Sequence, residues 1–302
     1  MRIIHSDVKI LPQKPGLQGI YEQIELAARN CYKSEGLIKY DDNCNSTTAK
    51  DFVDKIVNVY KHRSVAEHGT VYLKIYGNKG TAHAYMNNPY SKVIEKLEYE
   101  DLMNAYGKRT YYITTNYRVI LENHWENDLQ YLCEPTEFHE KRVTVRVTCP
   151  ISVSREWNRH RTLSVSEQST RYCNFTKDKF QNELTFCAPY WAVTLLAHSP
   201  FTVRNIGERT NIETKLPQDE LHLFLKMIET EVSYLYLVTE LGLQPQEARE
   251  FLLLCTATEV IYTGFVSDWK HFFELRTATN AHPDIKKIAD FLQEQFKDKH
   301  LL

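Results

Sequence analysis

Val143-Thr-Val-Arg-Val-Thr-Cys149-Pro150 runs directly into Ile151-Ser-Val-Ser-Arg155-Glu156-Trp157-Asn-Arg159-His160-Arg161. Val143, Val145, Val147 and Cys149 alternate with Thr144, Arg146 and Thr148, the period of a half-buried strand. Pro150 suits the first turn of a helix, so the chain is expected to pass from strand to a helix that carries Trp157 toward the basic triplet. The run continues from Thr162 through Ser164, Ser166, Glu167, Gln168, Ser169 and Thr170 to Arg171 and Tyr172. Arg155, Arg159, His160, Arg161 and Arg171 are opposed here only by Glu156 and Glu167. Guanidinium groups this close repel one another unless an anion sits among them, and phosphate suits their forked geometry. A solvated basic loop or an RNA-contacting patch is the competing reading of the triplet taken alone.

Outward from this stretch, Ile20, Ile24, Ala27 and Cys31 share one helical face. A second helix is expected to start at Ser46 or Thr47 and to bury Phe52, Ile56 and Val59. Val71, Leu73 and Ile75 alternate as a strand. Residues 91–106 have a helical pattern and 110–114 read as a strand, within a segment of about 77–141. Leu221, Leu225, Ile228, Val232, Leu235 and Val238 predict a long helix ending near Gly242. Pro245 opens another that is expected to run to about Tyr262, and Ile285, Ile288, Ala289, Leu292 and Phe296 line a last one. These patterns predict an α+β fold over residues 1–302 as one domain, with one mainly antiparallel sheet flanked by helices and a helix-rich C-terminal half.

Net charge of −2 and 25% charged residues give no global field for nucleic acid or membranes, so the basic character is local. No apolar run approaches a membrane span of about 18 residues, and the first residues lack a signal-peptide pattern. The seven cysteines form no C-x-x-C pair, which suits reduced thiols in the cytoplasm and gives no zinc motif.

The 159–172 run resembles the signature of the flavin-dependent thymidylate synthases, R-H-R followed by S, E, S, R and Y at fixed spacing. Three further stretches are similar to that family: Glu67-His68-Gly-Thr70, Gly242-x-x-x-x-Glu247-Ala248-Arg249, and His271 followed by Leu275-Arg276. The resemblance implies methylation of dUMP with methylenetetrahydrofolate, FAD as hydride carrier and NADPH or NADH as reductant. It implies a homotetramer with flavin sites between subunits, no metal, and no nucleic-acid or membrane partner. By the same resemblance dUMP meets Glu156, Arg159, Glu167, Gln168, Ser169, Thr170, Arg171, Arg249 and Arg276. FAD meets His68, Thr70, Arg159, His160, Arg161, Glu167 and His271, and Arg276 polarises the uracil.

Some residues depart from the family pattern. Ser166 stands for the usual Asn, Glu156 for a frequent Gln, Phe265 for a flavin-contacting Asn, and Leu252-Leu253 for Leu-Pro, so the helix after Arg249 is expected to run without a kink. Segment 77–141 reads as a family-atypical insertion, and Asn116-Tyr-Arg118 within it as a helix-capping turn. Ser166, Glu156 and Phe265 make a flavin- or nucleotide-binding homologue without methylation activity a second reading. No Pro-Cys pair is present, so uracil activation is expected to be noncovalent, and the absence of a G-x-G-x-x-G turn agrees with a flavin site unlike the Rossmann type.

Overall fold

The computed structural model describes residues 1–98, 108–200 and 215–302. In chain order its elements are β1 (Arg2–Ile4), β2 (Asp7–Leu11), α1 (Gly16–Tyr32), α2 (Ala49–Asp54), β3 (Thr70–Tyr76), α3 (Lys79–Met86), β4 (Lys92–Glu98), β5 (Lys108–Asn116) and α4 (Tyr117–Glu122). They continue with β6 (Arg142–Pro150), α5 (Ile151–Trp157), β7 (Ser164–Glu167), β8 (Thr185–Cys187), α6 (Gln218–Thr239), α7 (Pro245–Ala248), β9 (Ala257–Phe265), α8 (Val266–Arg276) and α9 (Pro283–Asp298). The class is α+β, as the patterns predict. The described strands divide among three sheets rather than one: β2-β6-β9-β7, β3-β5-β4 and the parallel pair β1-β8.

The sheet that carries the site is antiparallel throughout. In it β6 pairs with β2 on one side and β9 on the other, and β9 passes the ladder to β7. Val143, Val145 and Val147 face Trp269, Phe273, Ile285, Leu292 and Phe296 of α8 and α9 in one buried cluster. Trp157 is fully buried there. Its ring stacks 5.0 Å from Tyr262 of β9 and 4.4 Å from Phe272 of α8. Gly264 leaves room where β9 passes Leu163, because a Cβ there would lie 2.3 Å from the leucine Cδ2 and that methyl would have to shift.

Several of the expected elements are corrected. The helix from Pro245 stops at Ala248, and a tight turn over 249–251 ends at Leu252, whose ψ of 132° is extended. Residues 257–265 then form the central strand β9. Val260, Ile261, Tyr262 and Thr263 are β-branched or aromatic, and pairing on both sides outweighs the helical spacing. The missing proline at 253 therefore does not straighten that helix.

Helix α2 starts at Ala49, because Ser46 Oγ is drawn to Glu25 Oε2 at 2.6 Å instead of capping. It passes into a π-turn over Lys55–Val59, and the wider turn rotates Val59 out, 67% exposed. Helix α6 buries Phe224, Met227, Glu231 and Tyr234, a face offset from the expected one, which leaves Val232 exposed. Finally, residues 92–98 are strand β4, not helix, paired with β5 along its length; residues 99–106 of that expected helix lie outside the described ones.

The 77–141 segment is built into the molecule. β5 lies between β3 and β4, and Tyr85, Tyr111, Ile113, Tyr117 and Ile120 join the core formed by α1 and β3. Asn116 caps α4, its side chain accepting from Val119 N at 3.1 Å, as the capping-turn reading predicts.

Trp157→Ala should cost about 3–5 kcal/mol of unfolding free energy, because it removes a wholly enclosed ring between two aromatic partners. Trp157→Phe should cost less, since the indole N–H has no hydrogen-bond partner among the described residues. Chemical denaturation followed by far-UV circular dichroism measures both.

Candidate active site

The Trp157 stack fixes the roll of α5. With that ring turned inward, Ile151, Ser154 and Arg155, at helical spacing, face a cleft of about 510 Å³. The opposite wall comes from the end of β7. Gln168 N donates to Glu259 O and Ser169 N to Cys31 O, both at 2.8 Å, which pins the chain as it leaves the sheet. Tyr172 N and Cys173 N then close a turn onto Ser169 O at 3.2 and 2.9 Å. Residues 167–171 thus form one rim. Arg249 comes from the end of α7, whose start is held by Gln244 N donating to Glu247 Oε2 at 2.8 Å.

The cleft has a polarity. Arg155, Arg171 and Arg249 border it with Glu167 and Glu250. Arg249 lies 3.7 Å from Glu250, whereas Arg155 and Arg171 have no carboxylate partner among the described residues. Arg171 instead lies over the Tyr172 ring, 5.3 Å from its centroid. Glu167 is held by neutral donors: Ser154 Oγ at 2.8 Å, Thr258 Oγ1 at 3.2 Å and Asn158 Nδ2 at 3.3 Å. Among the described residues, a carboxylate without a cation partner thus stands beside the two guanidinium groups of Arg155 and Arg171, which have no carboxylate partner. Such a surface suits a ligand with an anion at one end and N–H donors at the other.

Of the nucleotide residues implied by the sequence, Glu167, Gln168, Ser169, Thr170, Arg171 and Arg249 gather on this cleft. Glu156, Arg159 and Arg276 do not line it. Arg276 joins α8 to α5: Nη1 donates to Glu156 Oε2 at 3.0 Å, Nη2 to Glu156 O at 2.9 Å, and Nε to His160 Nε2 at 3.0 Å. Three of its five donors are thereby used. Arg155, which the resemblance leaves unassigned, takes the place on the wall; its helical spacing from Ile151 is the signal that finds it.

The flavin residues fall into two groups. Arg159 and Arg161 are exposed, His160 is half-buried, and His271 is exposed with its ring 6.3 Å from that of His160. Burial and the adjacent Arg276 and His271 hold His160 down to a pKa of about 4. Thr70 lies apart, on a separate cavity of about 210 Å³ that it shares with Gln13, Tyr72 and Arg142. His68 has no exposed surface. Its Nδ1 is 2.8 Å from Thr263 Oγ1 and its Nε2 is 2.9 Å from Ser166 Oγ, so it ties the 63–68 turn to β9 and β7. Among the described residues no group of His, Cys, Asp or Glu could hold a metal ion, and no helix is long and apolar enough to cross a membrane.

Burial, reinforced by the Arg142 charge, pushes the His68 pKa down to about 3. The unfolded chain takes up that proton near the ordinary value of about 6.5, so the stabilising neutral form is fully present above that pH. Stability should therefore fall as pH drops from about 6.5 toward 3. His68→Gln, which cannot titrate, should show a shallower loss across that window in denaturation curves at successive pH values; an unchanged slope would remove His68 as the cause.

A family model described as "Thymidylate synthase complementing protein" matches residues 92–300, well over half of the chain. The match begins inside the segment read as inserted, and Glu67-His68-Gly-Thr70 lies outside it. The flavin-dependent thymidylate synthase of Thermosipho melanesiensis is 28% identical over 177 residues, covering 58% of this chain and 72% of the relative. That of Thermus thermophilus is 30% identical over 156 residues, and the chain spans about half of its length, 51%. A solved structure of thymidylate synthase X from Helicobacter pylori with FAD and dUMP aligns over 98% of this chain and 95% of that one. At a TM-score of 0.41 and 13% identity that likeness carries no argument. The family match, extended by the curated relatives, is what decides: the chain belongs to the thymidylate synthase complementing protein family, the flavin-dependent thymidylate synthases.

Proposed function

We propose that the protein catalyses the reductive methylation of dUMP to dTMP, with 5,10-methylenetetrahydrofolate as one-carbon donor, FAD as resident cofactor and NADPH or NADH as reductant. The observation that carries this reading is the polarity of the cleft, with Arg171 and Arg249 on the rim and Glu167 on the wall. The arginines hold the phosphate, helped by Ser169 and Thr170. Glu167 accepts from the nucleotide and is oriented by Ser154, Thr258 and Asn158. The exposed Arg159 and Arg161 and the half-buried His160 form a cationic and hydrogen-bonding face suited to an electron-rich flat ring, with His271 beside it. A flavin held by these residues would supply hydride chemistry.

Uracil C5 becomes nucleophilic enough to attack the methylene carrier when the pyrimidine carries negative charge on its carbonyl oxygens. Arg276 keeps two N–H donors beyond its three bonds to Glu156 and His160, and those are available to that charge. Addition of a thiolate at C6 is the alternative activation, and the cysteines give it little support. None of the seven lines the cleft. Burial raises the thiol pKa of Cys31, Cys133 and Cys149, and lifts Cys173 and Cys255 to about 11 and Cys187 to about 12. The same reading carries a homotetramer and a cytoplasmic location.

One observation favours a second reading, a flavin-binding relative without methylation. Phe265 stands where the resemblance implies a flavin-contacting Asn, and Lys92 and Arg142 flank its ring at 4.7 and 5.5 Å. Release of tritium from C5-labelled dUMP, dependent on methylenetetrahydrofolate and reductant, is expected; a yellow protein that releases none would support the second reading instead.

Arg171→Ala should weaken dUMP binding by about 1.5–3 kcal/mol, roughly 10- to 100-fold, and leave flavin bound. Titration of the flavin absorbance with dUMP reads both quantities, and unchanged affinity would remove Arg171 from the phosphate site.

A further inference from the structure

We infer that Arg276 fixes His160 as the neutral tautomer protonated at Nδ1, so that the histidine of the basic triplet meets its ligand as a hydrogen-bond donor rather than as a cation. The argument needs only donor and acceptor chemistry. Arg276 Nε lies 3.0 Å from His160 Nε2, and a guanidinium can only donate. Nε2 must therefore carry a lone pair, and in a neutral imidazole the proton is then on Nδ1. A protonated ring would set N–H against N–H.

The arrangement is held from several sides. Glu156 grips the same guanidinium through its carboxylate and its carbonyl, so Arg276 cannot swing away without losing both. His160 N donates to Trp157 O at 2.9 Å, and the ring lies edge-on to Phe272 at 4.9 Å. Both contacts tie it to the aromatic stack beneath. The charged or titratable groups around the ring are Arg276 and His271 from α8, Glu156 from α5, and the neighbouring Arg159 and Arg161. The cations among them oppose a further positive charge.

His160 Nδ1 has no partner among the described residues and is not enclosed, since it is absent from the buried unpaired atoms. Its N–H is directed to whatever binds beside the triplet. The acceptor it suits is a ring carbonyl or an unprotonated ring nitrogen of a flat heteroaromatic, an assignment that rests on the function proposed above. Arg276 is then a positioning residue for His160 as well as a donor toward substrate.

Long-range 15N–1H correlation of histidine-labelled protein tests this, with the His160 signals assigned by their loss in His160→Gln. The wild-type ring should show pyrrole-type Nδ1 and pyridine-type Nε2 from pH 8 down to about 5.5. Arg276→Gln should move the ring's titration toward the ordinary histidine value and populate the Nε2–H tautomer, whereas Arg276→Lys, also a pure donor, should keep Nδ1–H. An Nε2–H or imidazolium signal in the wild type at neutral pH would overturn the inference, and so would an unchanged spectrum in a folded Arg276→Gln variant. If that variant does not fold, the wild-type spectrum decides alone. None of these outcomes depends on whether dUMP is methylated.

Discussion

The enclosure of Trp157 between Tyr262 and Phe272 is the contact on which the site depends. It joins the short helix after β6 to the strand β9 and the helix α8 that follows it, more than 100 residues further along the chain. Tyr262 adds a bond from its hydroxyl to Asn158 Oδ1 at 2.9 Å, one residue beyond the ring it stacks on. With α5 held in this roll, Arg155 reaches the cleft and Glu156 reaches Arg276. A rotation of α5 by one residue, about 100°, would carry both side chains away from these partners. Packing free energy is thus converted into the orientation of charges.

The arginines sort by what they touch. Arg276 is matched by a carboxylate, a carbonyl and a neutral ring nitrogen, and it serves as a strut as much as a reagent. Arg142 is half-buried on the cavity it shares with Thr70, where burial of its charge pulls its pKa down to about 10, and it is met by Glu67 O at 3.0 Å and by weaker hydroxyl contacts at 3.4–3.5 Å. Arg155, Arg159, Arg161 and Arg171 lack a carboxylate among the described residues and stand at the surface. Their mutual repulsion is relieved by an anionic ligand, which is why the cleft and the triplet are read as binding surfaces and Arg142 as structure.

Much of this is legible in the sequence wherever one periodicity dominates. α9 buries Ile285, Ile288, Ala289, Leu292 and Phe296 as the spacing predicts, and β3 and β6 alternate as expected. The 167–171 loop and Arg249, about 80 residues apart, meet on one cleft. What fails is decided by distant partners. β9 reads as helix until β6 and β7 are seen to pair with it, and β4 until β5 is. The enclosure of His68 depends on Ser166 and Thr263, 98 and 195 residues away, which no local pattern contains. Arg155 is within reach of the sequence, since residues 151, 154 and 155 share a face once the helix is set by Trp157.

The most direct test of the central claim is calorimetric titration of the purified protein with dUMP and with deoxyuridine, at two salt concentrations. The cationic rim predicts that dUMP binds, that deoxyuridine binds at least about tenfold more weakly, and that salt weakens only the nucleotide. Equal affinity for the two, or no binding of either, would contradict the assignment of the cleft between α5, the 167–171 loop and Arg249 as a nucleotide site.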